Sequence, residues 1–447
     1  MKKSLFALAA VGAIAGTAQA QSSVTVYGVI DLGYAGSNTR IANQGATPST
    51  VGVTNSTTSW FSDGAESTSR LGFKGNEDLG GGLSAFFTYE TKVTPNGTAG
   101  LFNGTAGDGT RQAFAGLKKA GVGQFAFGTQ YTTIFNAVSQ SDPGMLNNMG
   151  GNVIYDKFAG AAAQTQNTST GFGTYGLSGM QNNTSFIVRQ ANMLSFASDT
   201  FSGFQGNAYY VLNQNNTNGS TVASGSSGYA ASTGSTNKTA WGLGGNYTWN
   251  KLFVTANYQN ETNKNPYTVS NSTGVYAAGA PVIGGFGGSV NTGTNDRDNQ
   301  QYYAATYDFG ILKAFVQYVN RKTTDINFST NYVARTAQQI GVRSFVTPTI
   351  ESWASVGTGK LTVSTAGTTG VAATPGTNTF VGGQSTIGSN SANFGGFQLG
   401  TNYWLSKRTN LYAIYGQQRT SNQNYSLGAN PTSYNMNDYA VGLRHTF

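Results

Sequence analysis

Between Ser69 and Glu90 the sequence reads SRLGFKGNEDLGGGLSAFFTYE, and its chemistry changes at almost every step. As an extended strand, Leu71 and Phe73 fall on one face and Arg70, Gly72 and Lys74 on the other. After the turn at 76–82 the pattern resumes, with Ala85, Phe87 and Tyr89 opposed to Thr88, Glu90 and, further on, Lys92. One face is apolar and the other carries charge. A soluble sheet buries the first, whereas a membrane barrel turns it to lipid and the polar face to a lumen. The rest of the chain has to decide between them.

Only 9% of the 447 residues are charged, against roughly 25% in a typical soluble domain. The 62 Gly would fit a disordered chain, but an aromatic content of 12% does not. With no Cys there is no disulfide scaffold, thiolate metal site or cysteine nucleophile. Residues 1–20 have the form of a secretory signal peptide, with Lys2 and Lys3, an apolar run from Leu5 to Ile14, and Ala18-Gln19-Ala20 as the cleavage site. The mature domain then spans 21–447. That apolar run is shorter than the ~20 residues a spanning helix needs, and no run of spanning length follows it, so any membrane crossing is made by strands. Removing Lys2 and Lys3 leaves 23 basic against 17 acidic residues, without a Lys/Arg cluster for nucleic acid.

Strand-like segments begin near 23–34, where Asp31 shares the polar face, and continue at 68–76, 82–93, 110–119 and 123–131. In the last two, Phe114, Phe125, Phe127 and Tyr131 are the outward candidates. The series runs on to 436–447 and numbers sixteen if the less regular pair 337–346 and 350–356 is counted. Short joints, such as 76–82, 119–123 and 405–408, alternate with long polar ones, such as 35–67, 132–186 and 359–392. Soluble domains favour connections of ~4 to 6 residues, whereas outer-membrane barrels have short turns at one end and long loops at the other. The fold class is therefore an all-β, sixteen-stranded antiparallel transmembrane barrel, wide enough for an aqueous channel. Aromatics including Tyr34, Tyr89, Tyr131, Trp241, Trp249, Trp404 and Tyr412 suit its interfacial girdles. In DYAVGLRHTF, Tyr439, Val441, Leu443, His445 and Phe447 share a face, and Phe447 is the candidate assembly signal.

The stretches YGVIDLGY, SRLGFKGNEDLGGGL, RQAFAGL, FGTQYT, RQANMLSFASDTFSGF, YWLSKRTNLYA and VGLRHTF together resemble, in order, the general porins of beta-proteobacteria. The resemblance implies a homotrimer in the outer membrane whose third loop folds into the lumen and narrows it. It implies constriction arginines at Arg70, Arg111 and Arg189, which also fall on the non-lipid face when judged against Phe73, Phe114 and Leu194. Many relatives carry Arg where this chain has Thr129.

An arginine cluster in a water-filled pore attracts anions, and opposed carboxylates add a transverse field. Asp142 and Asp156 in the third loop, with Glu90 and Asp31 on the wall, are the acidic candidates, and Lys74 and Lys92 are further lumen charges. Enzymatic function lacks a base, since the only histidine is His445 on the lipid face. No cofactor or metal is expected. The expected partners are outer-membrane lipid, the barrel-assembly machinery, small hydrophilic solutes and inorganic ions. A solute-specific channel on the same barrel and a secreted adhesive β-protein remain open as alternatives.

Overall fold

The computed structural model describes residues 23–43, 52–96, 109–156, 185–217, 234–264, 295–326, 329, 332–365, 388–423 and 432–447. The first strands are β1 (Ser23–Asn43), β2 (Gly52–Asp63), β3 (Arg70–Gly80), β4 (Leu83–Lys92), β5 (Thr110–Lys119) and β6 (Gly123–Tyr131). A short helix, α1 (Thr133–Ser141), follows β6. Then come β7 (Arg189–Ser198), β8 (Phe204–Thr217), β9 (Gly234–Trp249), β10 (Leu252–Lys264), β11 (Asn295–Asp308) and β12 (Lys313–Asp325). The last five are β13 (Tyr332–Phe345), β14 (Ile350–Thr365), β15 (Gly388–Trp404), β16 (Thr409–Gln423) and β17 (Thr432–Thr446). The proposed signal peptide lies outside the described residues.

The seventeen strands make sixteen staves, because β2 and β3 both pair with β1. β2 runs beside Leu32–Asn43 and β3 beside Ser23–Val29. All pairings are antiparallel between neighbours, and β1 pairs with β17 from Val29↔Thr446 to Asn43↔Thr432. The sheet is therefore a closed barrel without a free edge. Among the described residues, the short connections gather at one end. Between β3 and β4 the turn is made by Gly80, Gly81 and Gly82 at φ of 84°, 60° and 76°, a region that side-chain-bearing residues seldom enter.

Residues 35–67 are not the loop that their Ser, Thr and Asn content suggests. Their first nine residues extend β1, and 52–63 form β2. Ser37 and Thr39 are buried on the inner side while Asn38 and Arg40 are exposed on the outer side. A lumen-facing position needs no apolar side chain, and neither does an outward one beyond the lipid band. Polarity therefore fails to separate strand from loop there. The same cause lengthens β14, β15 and β16 beyond the segments that alternate visibly.

Large apolar side chains stand exposed on alternate positions, among them Leu32, Phe127, Leu243, Val316, Ile340, Leu399 and Val441. The intervening positions carry buried polar groups such as Gln300, Gln317, Gln339, Gln398 and Asp438. The segment after β6 lies against this second face. Thr132 caps α1, its Oγ1 accepting from the Phe135 N–H at 3.3 Å and donating to the Ile187 carbonyl at 2.7 Å. Ile134, Phe135 and Val138 pack with Tyr155, Phe186, Tyr302 and Val319, each buried aliphatic contributing about 1.5–3 kcal/mol. Beyond α1, Asn147 and Gln398 exchange hydrogen bonds at 2.7 and 2.9 Å. The Gly150 N–H then donates to Asp438 at 3.1 Å, and the Val153 N–H to Gln339 at 3.1 Å. Gly416 lets the loop approach, since a Cβ there would collide with the Gly150 carbonyl.

Candidate functional site

Glu90, on β4, has its side chain on the lumen side with only 5% exposure. Arg111 donates from Nε to Glu90 Oε1 at 2.7 Å and from Nη2 to the Tyr131 hydroxyl at 2.8 Å. Tyr27 donates to the other Glu90 oxygen at 3.2 Å. Arg70 stands 4.0 Å from that oxygen and donates to Ser67 Oγ at 3.1 Å. Arg189, opposite Tyr131 in the β6–β7 ladder, lies 5.7 Å from the Tyr131 ring centre. The three arginines thus occupy alternate staves of one wall, β3, β5 and β7, arranged around Glu90 on β4 and Tyr131 on β6. They are unequally wet: the Arg70 side chain is 23% exposed, whereas Arg111 is at 6% and Arg189 is almost fully buried.

Arg111 reaches the lumen by a route that alternation does not show. Glu90 pairs with Gln112 and Thr91 with Thr110, which leaves Arg111 as the extra residue of a bulge. Bulges re-aim side chains in this way. Phe114, expected outward, instead lies opposite Thr88 on the Glu90 face and meets Phe86 edge-on at 6.3 Å. Tyr131 departs from the outward reading as well. Past the register shift at Gly128–Gln130 it turns inward and stacks on Phe135 at 4.2 Å. Tyr412 is not a girdle residue either, since its hydroxyl donates to Asp31 at 2.7 Å inside the wall. Trp404 likewise turns its Nε1–H to Glu351 at 3.1 Å.

Lys74 is exposed on the inner face, with its ammonium 5.5 Å from the Tyr27 ring centre, and Lys92 lies opposite Arg70 in the ladder. Asp31 is fully buried, accepting from the Ser67 N–H at 2.6 Å and from Tyr412, so it braces the β2–β3 junction rather than lining water. The third-loop carboxylates do not face the arginines. Asp142 accepts from the Leu146 N–H at 2.8 Å and Asn152 Nδ2 at 2.7 Å, and burial raises its pKa above the ordinary carboxylate range. Burial also pushes the Tyr155 phenol up to about 12. Asp156 pairs with Arg335 at 3.1 Å, and Arg335 also holds the Val153 carbonyl at 2.8 Å.

Several inner-wall charges escape sequence reasoning. Arg321 pairs with Asp298 at 2.6 Å, Arg343 with Glu351 at 2.5 Å, and Glu66 accepts from Asn402 and Asn410. Arg444 stands opposite Asp31. Parity against Val316 and Tyr318 would have placed Arg321 inward, whereas Glu66 lies in the stretch expected to be loop. His445 shares the outward face of Leu443, with its Nδ1 2.9 Å from Thr409 Oγ1. Phe447 pairs through its backbone with Gly28, at 3.1 and 3.2 Å, and its ring covers that glycine.

A closed antiparallel barrel with apolar side chains outside and charges inside is the architecture of an outer-membrane channel. No helix among the described residues is long and apolar enough to cross a membrane. The chain belongs to the Gram-negative porin family, whose model matches residues 7–423. It is 29% identical over 460 residues to an outer membrane porin protein of Bordetella pertussis, covering 100% of both chains. Among solved structures, an anion-selective porin from Comamonas acidovorans superposes with a TM-score of 0.58 at 18% identity, over 95% of this chain and 100% of that one. The trimer form of OmpT from Vibrio cholerae gives 0.52 at 14% identity, over 95% and 99%.

Proposed function

We propose that this chain is a homotrimeric outer-membrane channel, not an enzyme, through which small hydrophilic solutes and inorganic ions diffuse passively, with anions preferred. Residues 1–20 act as a cleaved signal peptide, and Phe447 is read by the barrel-assembly machinery. The observation that carries the anion preference is the partly exposed Arg70, backed by Arg111 and Arg189 on one wall and balanced there, among the described residues, by Glu90. Arginine stays charged at every working pH, and a low-dielectric wall concentrates its field in the water beside it. The third loop narrows the lumen by lying against the far wall from Gln339 to Asp438. The anion-selective porin and the trimeric OmpT among the similar solved structures support selectivity and assembly. Reversal potential across a planar bilayer in a salt gradient tests the reading. Anion preference in the parent, moved towards cations when Arg70, Arg111 and Arg189 are all neutralised, supports it, and an unmoved potential removes these residues from selectivity.

A further inference from the structure

Between β2 and β3 the stave is interrupted. Asp63 lies opposite Leu32 and Arg70 opposite Val29, so the six residues 64–69 stand against only Ile30 and Asp31 of β1. The surplus turns into the lumen as a short arm, where Ala65 packs with Met149, Trp353 and Tyr412.

The arm is tied from three sides. At its root the Gly64 N–H donates to the Asp31 carbonyl at 2.9 Å and the Ser67 N–H to the Asp31 carboxylate at 2.6 Å. From β15 and β16, Asn402 and Asn410 donate to the two Glu66 oxygens at 2.8 and 2.9 Å. The third loop contributes Asn148, whose N–H donates to the Ala65 carbonyl at 2.9 Å. Its Nδ2 donates to the Gly64 carbonyl at 2.6 Å and to Thr68 Oγ1 at 3.1 Å.

The arm reaches the arginine group through Ser67 Oγ, which accepts from Arg70 Nη2 at 3.1 Å. Arg111 takes Glu90 Oε1, and Oε2, which accepts from Tyr27, stands 4.0 Å from Arg70 Nε. That separation is too long for a hydrogen bond, yet the opposite charges attract across it. The Ser67 hydroxyl holds the guanidinium against this pull. Without it the guanidinium closes on Glu90 and withdraws from the water.

We propose that Ser67 is a positioning residue for anion selectivity, holding Arg70 in the permeation path, and that Asn148 makes this hold depend on a seated third loop. The inference rests on the reading of Arg70 as a selectivity charge, and the test separates the two.

Reversal potential in a salt gradient is measured on full-length trimers whose melting matches the parent. Ser67→Ala removes the hydroxyl and keeps the N–H bond to Asp31, so the arm itself is spared. Its potential should move towards cations, in the direction of Arg70→Gln and by less. Ser67→Thr, which keeps a hydroxyl, should stay at the parent value. In an Arg70→Gln background Ser67→Ala should add nothing, because a residue that acts through Arg70 then has nothing to position. Asn148→Ala should shift the potential the same way, and again only while Arg70 is present. Three results overturn the positioning role and leave that of Arg70 standing: an Arg70→Gln shift with none towards cations in Ser67→Ala, a Ser67→Ala shift that persists without Arg70, or a Ser67→Thr shift as large as that of Ser67→Ala. An Asn148→Ala shift that is absent, or that persists without Arg70, overturns the link to the third loop. No shift in Arg70→Gln overturns both the inference and the reading beneath it.

Discussion

Arg111 and Glu90 are joined by a 2.7 Å hydrogen bond from Nε to Oε1, with both side chains almost fully buried. That contact sets what happens when either charge is removed. Among the described residues Glu90 is the one carboxylate in the arginine group, and Glu90→Gln removes the ion pair that Arg111 makes with it. Reversal potential should move further towards anions. Breaking one side of a buried pair typically costs about 3–5 kcal/mol, so thermal melting in detergent should also fall.

Arg70→Gln should move the potential the other way, at little structural cost. Its side chain is the wettest of the three and reaches Glu90 only at 4.0 Å. A contact that long is weak, about 0–1 kcal/mol, so melting should fall much less than with Glu90→Gln. A potential unchanged by Arg70→Gln, measured beside a shifted Glu90→Gln, would take Arg70 out of the permeation path.

Gly416→Ala places a methyl group where the Gly150 carbonyl now sits. Neither backbone can yield without breaking wall or loop hydrogen bonds, and such overpacking costs typically 1–3 kcal/mol. The loop should detach locally. Single-channel recordings should show greater open-channel noise or an altered conductance, and traces identical to the parent would mean the contact does not fix the loop.

Asp156→Ala strips the ionic partner from Arg335, which is 3% exposed. Losing that ion pair weakens the hold of the buried guanidinium on the loop, so proteolysis within residues 142–156 should speed up while the strands stay protected. Unchanged proteolysis would show that the Ser185 and Val153 contacts suffice.

Deleting Phe447 removes both backbone bonds to Gly28 at the β17–β1 seam and uncovers that glycine. Folding yield into detergent-resistant trimers should drop. Gly28→Ala should lower it in the same direction, because its Cβ collides with the Phe447 ring. Normal trimer yield from both variants would refute the role.

The alternation around Arg70, the long and short joints and the run to Phe447 made the barrel, its stave count and its inner face legible in the sequence. Two-residue periodicity holds wherever one face meets lipid, and that condition needs no tertiary information. It lapses in three places. Above the lipid band both faces are polar, so the upper half of β1 and all of β2 look like loop. At the bulge beside Glu90 the face reverses, so Arg111 points inward together with Phe114 rather than against it. In the third loop there is no period at all, and only contacts settle where its carboxylates go, within the loop itself for Asp142 and with Arg335 on β13 for Asp156. The sequence by itself determined which residues are charged and which faces meet lipid, because both are local properties. Only the tertiary structure decided which charges are spent on one another and which, as at Arg70, stay in contact with water, because that depends on distances across the lumen.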